Sequence, residues 1–120
     1  MTLPATFTFD WAKAPLSLNY RLHRMAEAKI TRELRTLMHY RALYAIAPME
    51  RCEVELVWIV KDKRKRDEEN IVPVLKALCD GLVDAGIVPD DTPEFMVKRM
   101  PAIRYIWDAE PRFEFTVKEA

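Results

Sequence analysis

The stretch Arg51 to Gly86, RCEVELVWIVKDKRKRDEENIVPVLKALCDGLVDAG, changes its hydrophobic period partway along, and that change decides the fold. In residues 51–61, Val54, Leu56, Trp58 and Val60 share one side, while Glu53 and Glu55 precede Val57 and Ile59 on the other. This is the period of a strand that is more deeply buried toward its end. After KDKRKRDEEN, residues Ile71, Val74, Leu75, Leu78, Cys79 and Leu82 recur at helical spacing. Pro73 suits the first turn of that helix, where a missing N–H costs little, and Gly86 after Ala85 supplies its stop.

Upstream, residues 5–11 (ATFTFDW) alternate Phe7 and Phe9 with Thr6, Thr8 and Asp10, which predicts a half-buried strand. The stretch AKAPLSLNYRLHR, with Pro15, Ser17 and Asn19, reads as an ordered loop. A long helix is predicted from about Met25 to Ala47, with Ile30, Leu34, Leu37, Arg41 and Ala45 on one stripe. Lys29, Arg32 and Arg35 form its basic outer side, and Pro48 ends it. Downstream, residues 94–105 and 112–118 read as two more strands, with Glu110 and Pro111 in the turn between them. The order strand, helix, strand, helix, strand, strand predicts a single α+β domain over residues 1–120, with two main helices on one mixed sheet.

With 50% hydrophobic residues over 120 positions, the chain has enough apolar material for one core. Lys+Arg and Asp+Glu are equal at 19 each, so nucleic-acid binding must rest on local clusters and not on net charge. Cys52 and Cys79 form no C-x-x-C and have no paired His nearby, which argues for reduced thiols over zinc or redox chemistry. No basic segment leads into an apolar run at the start, and no stretch approaches the roughly 18 apolar residues of a membrane helix. A cytoplasmic protein is the expectation.

The chemistry concentrates in residues 61–91. Asp67 and Glu69 are two apart, so on an extended chain both carboxylates project to one side as hard oxygen ligands. Such ligands suit Mg²⁺, which is commonly held by one or two carboxylates together with substrate phosphates. Asp90 and Asp91 can join them if Ile87 and Val88 pair with the strand at 51–61. Lys76 and Asp80 are one helical turn apart, and Lys76 can lean over the acidic site to stabilise charge on a phosphate. Lys61, Lys63, Arg64, Lys65 and Arg66 lie beside these acids, and Asn19, Arg21 and Arg24 lie in the early loop; both groups are candidate contacts to DNA phosphates. Capping would also explain Asp67, Glu69 and Asn70, and a turn would explain Asp90 and Asp91. Gly81 and Gly86 are the only glycines, which excludes a P-loop, and neither His23 nor His39 has a Ser or Cys partner suggested by spacing.

Arg66-Asp67-x-Glu69-Asn70, then Lys76, Asp80-Gly81-Leu82, Ala85-Gly86 and Asp90-Asp91, resembles the signature of the RusA family of Holliday junction resolvases, in particular its phage and prophage members. The early Leu18-Asn19-x-Arg21 element and the basic helix extend the resemblance over most of the chain. It implies a RusA-like fold and a homodimer that nicks four-way DNA junctions symmetrically in recombination and repair, with Mg²⁺ or possible Mn²⁺ at acidic sites. It further implies Asp67, Glu69 and Asp91 as metal carboxylates, supported by Asp90, and Lys76 as the essential cation. Glu69 departs from the usual Asp, and its extra methylene leads to an expectation of activity reduced or shifted toward Mn²⁺. Two other readings stay open: a branched-DNA-binding protein with an impaired metal site, and a structural protein whose acids are caps and whose basic loop is solvated.

Overall fold

The computed structural model describes residues 2–120. Chain order is β1 (Ala5–Phe9), α1 (Arg24–Ala45), β2 (Cys52–Val60), a 3₁₀ turn (Glu68–Ile71), α2 (Val72–Asp84), β3 (Met96–Lys98), β4 (Ala102–Tyr105) and β5 (Arg112–Glu119). The five strands form one mixed sheet. β5 lies between β1 and β2, antiparallel to both, and β3 and β4 run parallel to β2 along its other edge.

One face of the sheet carries Phe7, Phe9, Cys52, Val54, Leu56, Phe113, Phe115 and Val117 into a single core with the buried faces of α1 and α2. The opposite face carries the ion pairs of Glu53 with Arg99 and Lys118 and of Arg112 with Glu114, with Val57 and Ile59 of β2 buried on the same side. The α+β expectation of one domain, with two helices on a mixed sheet, describes this architecture. Among the described residues no helix is long and apolar enough to cross a membrane.

Three local expectations are corrected. The segment 94–105 is two strands and not one: between the pairs Val54 with Lys98 and Val57 with Ala102, β2 advances three residues while its partner advances four. The extra residue is a bulge at Arg99–Pro101, where the missing N–H of proline is tolerated. Ile87 and Val88 do not pair with β2, whose edge is taken by β3 and β4. They are buried behind α2, and the carbonyl of Ile87 accepts from the Met49 amide at 2.8 Å.

The third correction concerns α1. It buries Leu34, Met38 and Ala42, while Leu37 is exposed and Arg41 half-buried. The helix has two apolar stripes, and α2 selects one of them. A Cβ on Gly81 would lie 2.7 Å from Met38 Cβ and 2.8 Å from the Arg35 carbonyl, so the bare glycine lets the helices touch at Met38. Arg41 instead reaches the sheet edge, donating to the Thr8 carbonyl at 2.7 Å with its guanidinium 4.6 Å from the Phe9 ring.

Candidate functional site

β2 delivers the chain at Val60 into the basic loop. There Arg66 folds back: its guanidinium pairs with Asp62 at 2.9 Å, donates to the carbonyls of Asp62 and Arg64, and lies 5.1 Å over Trp58. Only 17% of its side chain is exposed, so Arg66 holds the loop in shape. Lys61, Lys63, Arg64 and Lys65 remain exposed around it.

Asp67 is extended, but the chain then turns, so the expected same-side projection of Asp67 and Glu69 is replaced by a capped turn. The Asp67 carboxylate accepts from the Glu69 amide at 3.1 Å, the capping role that competes with ligation at such positions. Glu69 stays exposed in the 3₁₀ turn. The Asn70 carbonyl accepts from the Leu18 amide at 3.0 Å and pins the early loop here. As a result Asn19, Tyr20, Trp58, Lys65, Arg66, Asp67 and Asn70 share one cleft of about 460 Å³. Arg21 and Arg24 are exposed at the far end of that loop.

The second cluster spans α2 and the loop beyond it. Lys76 donates to Asp80 at 3.0 Å on its own helix and to Asp91 at 2.5 Å across the loop. Lys98, at the end of β3, donates to the same Asp91 oxygen, Oδ2, at 3.1 Å. Asp80 also lies 3.9 Å from Arg35, which grips Asp84 with two hydrogen bonds of 2.9 and 2.8 Å. Cations and carboxylates thus alternate from Lys98 through Asp91, Lys76 and Asp80 to Arg35 and Asp84. The hydrogen bond from Lys76, then that from Lys98, holds the Asp91 carboxyl down at about 2, and the bond to Asp91 raises the Lys76 ammonium above its ordinary value. Asp90 caps locally, its carboxylate accepting from the Asp91 amide at 2.8 Å.

Lys76 and Asp91 are therefore brought together, as are Asp67, Asn19 and the basic loop. Asp67, Glu69 and Asp91 are not gathered into one cage: among the described residues no three His, Cys, Asp or Glu side chains are grouped to hold a metal. The donors nonetheless suit Mg²⁺ in kind. They are all oxygens, and Oδ1 of Asp91 and Oδ2 of Asp67 accept no hydrogen bond among the described residues. One or two carboxylates with waters and phosphates make a normal Mg²⁺ shell. Burial pushes the thiols of Cys52 and Cys79 up to about 11 and about 12, which leaves them inert as nucleophiles.

Lys98 was missed by reading the sequence. At the end of a three-residue strand it carries no periodic signal, and its partner is set only when β3 pairs with β2. No protein-family model matches the chain, and comparison with curated proteins finds no match.

Proposed function

We propose that the protein is a structure-selective DNA endonuclease that resolves four-way junctions by paired nicking. In this reading it is a RusA-type enzyme that acts as a homodimer in recombination and repair, in the cytoplasm of a bacterial host. The observation that carries the reading is the pair of Lys76 and Asp91. Two elements of the motif, 15 positions apart, meet at one charged point, and Lys98 joins them from the sheet.

Asp91 and Asp67, with Glu69 and with Asp90 behind, are the residues to hold Mg²⁺ or Mn²⁺. Bound there, the ion would neutralise charge on the scissile phosphate and lower the pKa of a bound water. The chain's own contribution is position and charge. Each ammonium has three donors; Lys76 spends two on carboxylates and Lys98 one, so both retain N–H groups for a phosphate oxygen. Fixed cations at that point favour the charge that develops in the transition state. Lys61, Lys63, Arg64 and Lys65, with Asn19 in the cleft and Arg21 and Arg24 farther along the early loop, are exposed to contact backbone phosphates and orient the branch.

The outer stripe of α1 supports the homodimer. Glu33, Leu37, Tyr40 and Tyr44 line a groove beside β1, with Tyr44 83% exposed. An antiparallel copy of the helix would set Leu37 against the partner's Tyr40 and Tyr44 against the partner's Glu33, a self-complementary match of the kind a two-fold interface requires.

A second reading, junction binding without cleavage, is favoured by one observation: the carboxylates are dispersed, with Asp67 engaged as a cap and Asp91 balanced by two lysines. Incubation of the protein with a labelled four-way junction and a matched duplex, in Mg²⁺, Mn²⁺ or chelator, separates the two. Metal-dependent symmetric nicking of the junction alone is expected. Tight binding without cleavage in either metal would establish the second reading, and absence of both binding and cleavage would overturn the two together.

A further inference from the structure

β4 runs parallel to the end of β2, and the Ile106 amide donates to the Val60 carbonyl at 2.9 Å, so the β4–β5 connection, which crosses the end of β2 from one of its edges to the other, has its tip beside the start of the basic loop. The tip is a tight turn closed by the Ala109 amide on the Ile106 carbonyl at 3.2 Å, with Trp107 and Asp108 at its apex. Trp107 is 73% exposed, and Tyr105 and Ile106 before it are 46% and 38% exposed. Three consecutive apolar side chains in water, two of them aromatic, are unlike a single stray exposed residue and mark a contact surface. Lys63 Nζ lies 5.1 Å from the centre of the Tyr105 ring, which joins the aromatic tip to the cationic loop.

We propose that Trp107, flanked by Tyr105, is a stacking platform for an unstacked base at the branch point of DNA, with Lys61, Lys63 and Lys65 holding the adjoining phosphates. The inference rests on the branched-DNA reading above and adds the element that tells a branch from a duplex. Within a continuous duplex both faces of every base are covered by neighbours, so an aromatic side chain finds a free face only where stacking is interrupted. Aromatic rings beside a cationic track are the general means of holding bases whose faces are exposed. Asp108 and Glu110, in the same tip, repel a phosphate row or an anionic membrane laid across it, whereas a single base face brings no charge to the ring.

The test uses a four-way junction with 2-aminopurine at the branch, and a duplex carrying the same base mid-helix, titrated with the wild-type chain, Trp107→Ala and Trp107→Phe in chelator. Wild type and Trp107→Phe are expected to quench the branch 2-aminopurine. Trp107→Ala is expected to lose the quench and about tenfold in junction affinity, while all three bind the duplex alike. Because Trp107 is exposed, unchanged thermal midpoints should accompany these effects. Trp107→Ala that still prefers and quenches the junction like wild type overturns the inference and leaves the reading standing. Wild type that binds junction no better than duplex overturns both. Loss of binding to phosphatidylserine vesicles in Trp107→Ala, with junction binding intact, overturns the inference in favour of a membrane contact.

Discussion

Lys76 on α2 and Lys98 at the end of β3 meet on a single oxygen, Oδ2 of Asp91, at 2.5 and 3.1 Å. Helix, sheet and loop are tied together at that atom, and the Asp91 side chain is only 18% exposed.

The tie is sensitive to acid. Asp91 is held at about 2 in the fold against an ordinary 3.8, so its contribution to stability is present above the higher value and disappears as pH falls from about 4 toward 2. Asp84 and Asp62, both lowered by arginine partners, add in the same direction. Urea midpoints measured from pH 6 to pH 2 should fall through this window. In Lys98→Ala the fall should begin at higher pH, because one of the two bonds holding Asp91 down is gone.

Lys76→Ala should reduce junction cleavage by about 10² to 10³-fold, the usual cost of removing a fixed donor from a site of developing charge. Junction affinity in chelator should change far less, since the exposed lysines of the loop are untouched. A gel-shift titration beside a single-turnover cleavage assay separates the two effects, and a parallel loss of binding and cleavage would argue that Lys76 only grips DNA.

Glu69 is exposed and makes no side-chain hydrogen bond among the described residues, so Glu69→Asp should leave stability within about 0.5 kcal/mol of wild type. If this carboxylate serves the ion, the shorter side chain should raise the Mg²⁺-supported cleavage rate relative to the Mn²⁺-supported rate. An unchanged ratio would remove Glu69 from the metal site.

Gly81→Ala should destabilise the fold by about 1–3 kcal/mol, because the new methyl meets Met38 Cβ and the Arg35 carbonyl where two helices already touch. Chemical denaturation of the purified variant measures it. A neutral result would mean that α1 can slide away from α2 at no cost.

Tyr40→Glu combined with Tyr44→Glu places like charges at the centre of the proposed dimer face. Sedimentation should show a dimer for the wild-type chain and a monomer for this variant, with thermal unfolding little changed, since both side chains are already exposed. A wild-type monomer at micromolar concentration would count against paired nicking.

Much of the fold is legible in the residues because alternation and helical spacing are local. Phe7 and Phe9 mark β1, Val54 to Val60 mark β2, Ile71 to Leu82 mark the buried face of α2, and Gly86, at a φ of 75°, stops that helix. The pairing of Lys76 with Asp80 is legible for the same reason, since four residues on a helix is one turn.

What pattern alone left undecided depends on residues distant in the chain. Two stripes of α1 carry apolar residues, and packing against α2, closest where Gly81 meets Met38, puts Met38 and Ala42 in the core and leaves Leu37 and Tyr40 outside. The split of residues 94–105 follows from register against β2, and the meeting of Lys98 with Asp91 follows from that register in turn. Asp67 and Glu69 have the same spacing whether the chain is extended or turned; the capping bond to the Glu69 amide makes the turn. The sequence by itself determined which elements form and which charges lie near them. The tertiary structure decided which faces are buried and which charges touch, because both depend on non-local packing, on which short-range periodicity carries no information.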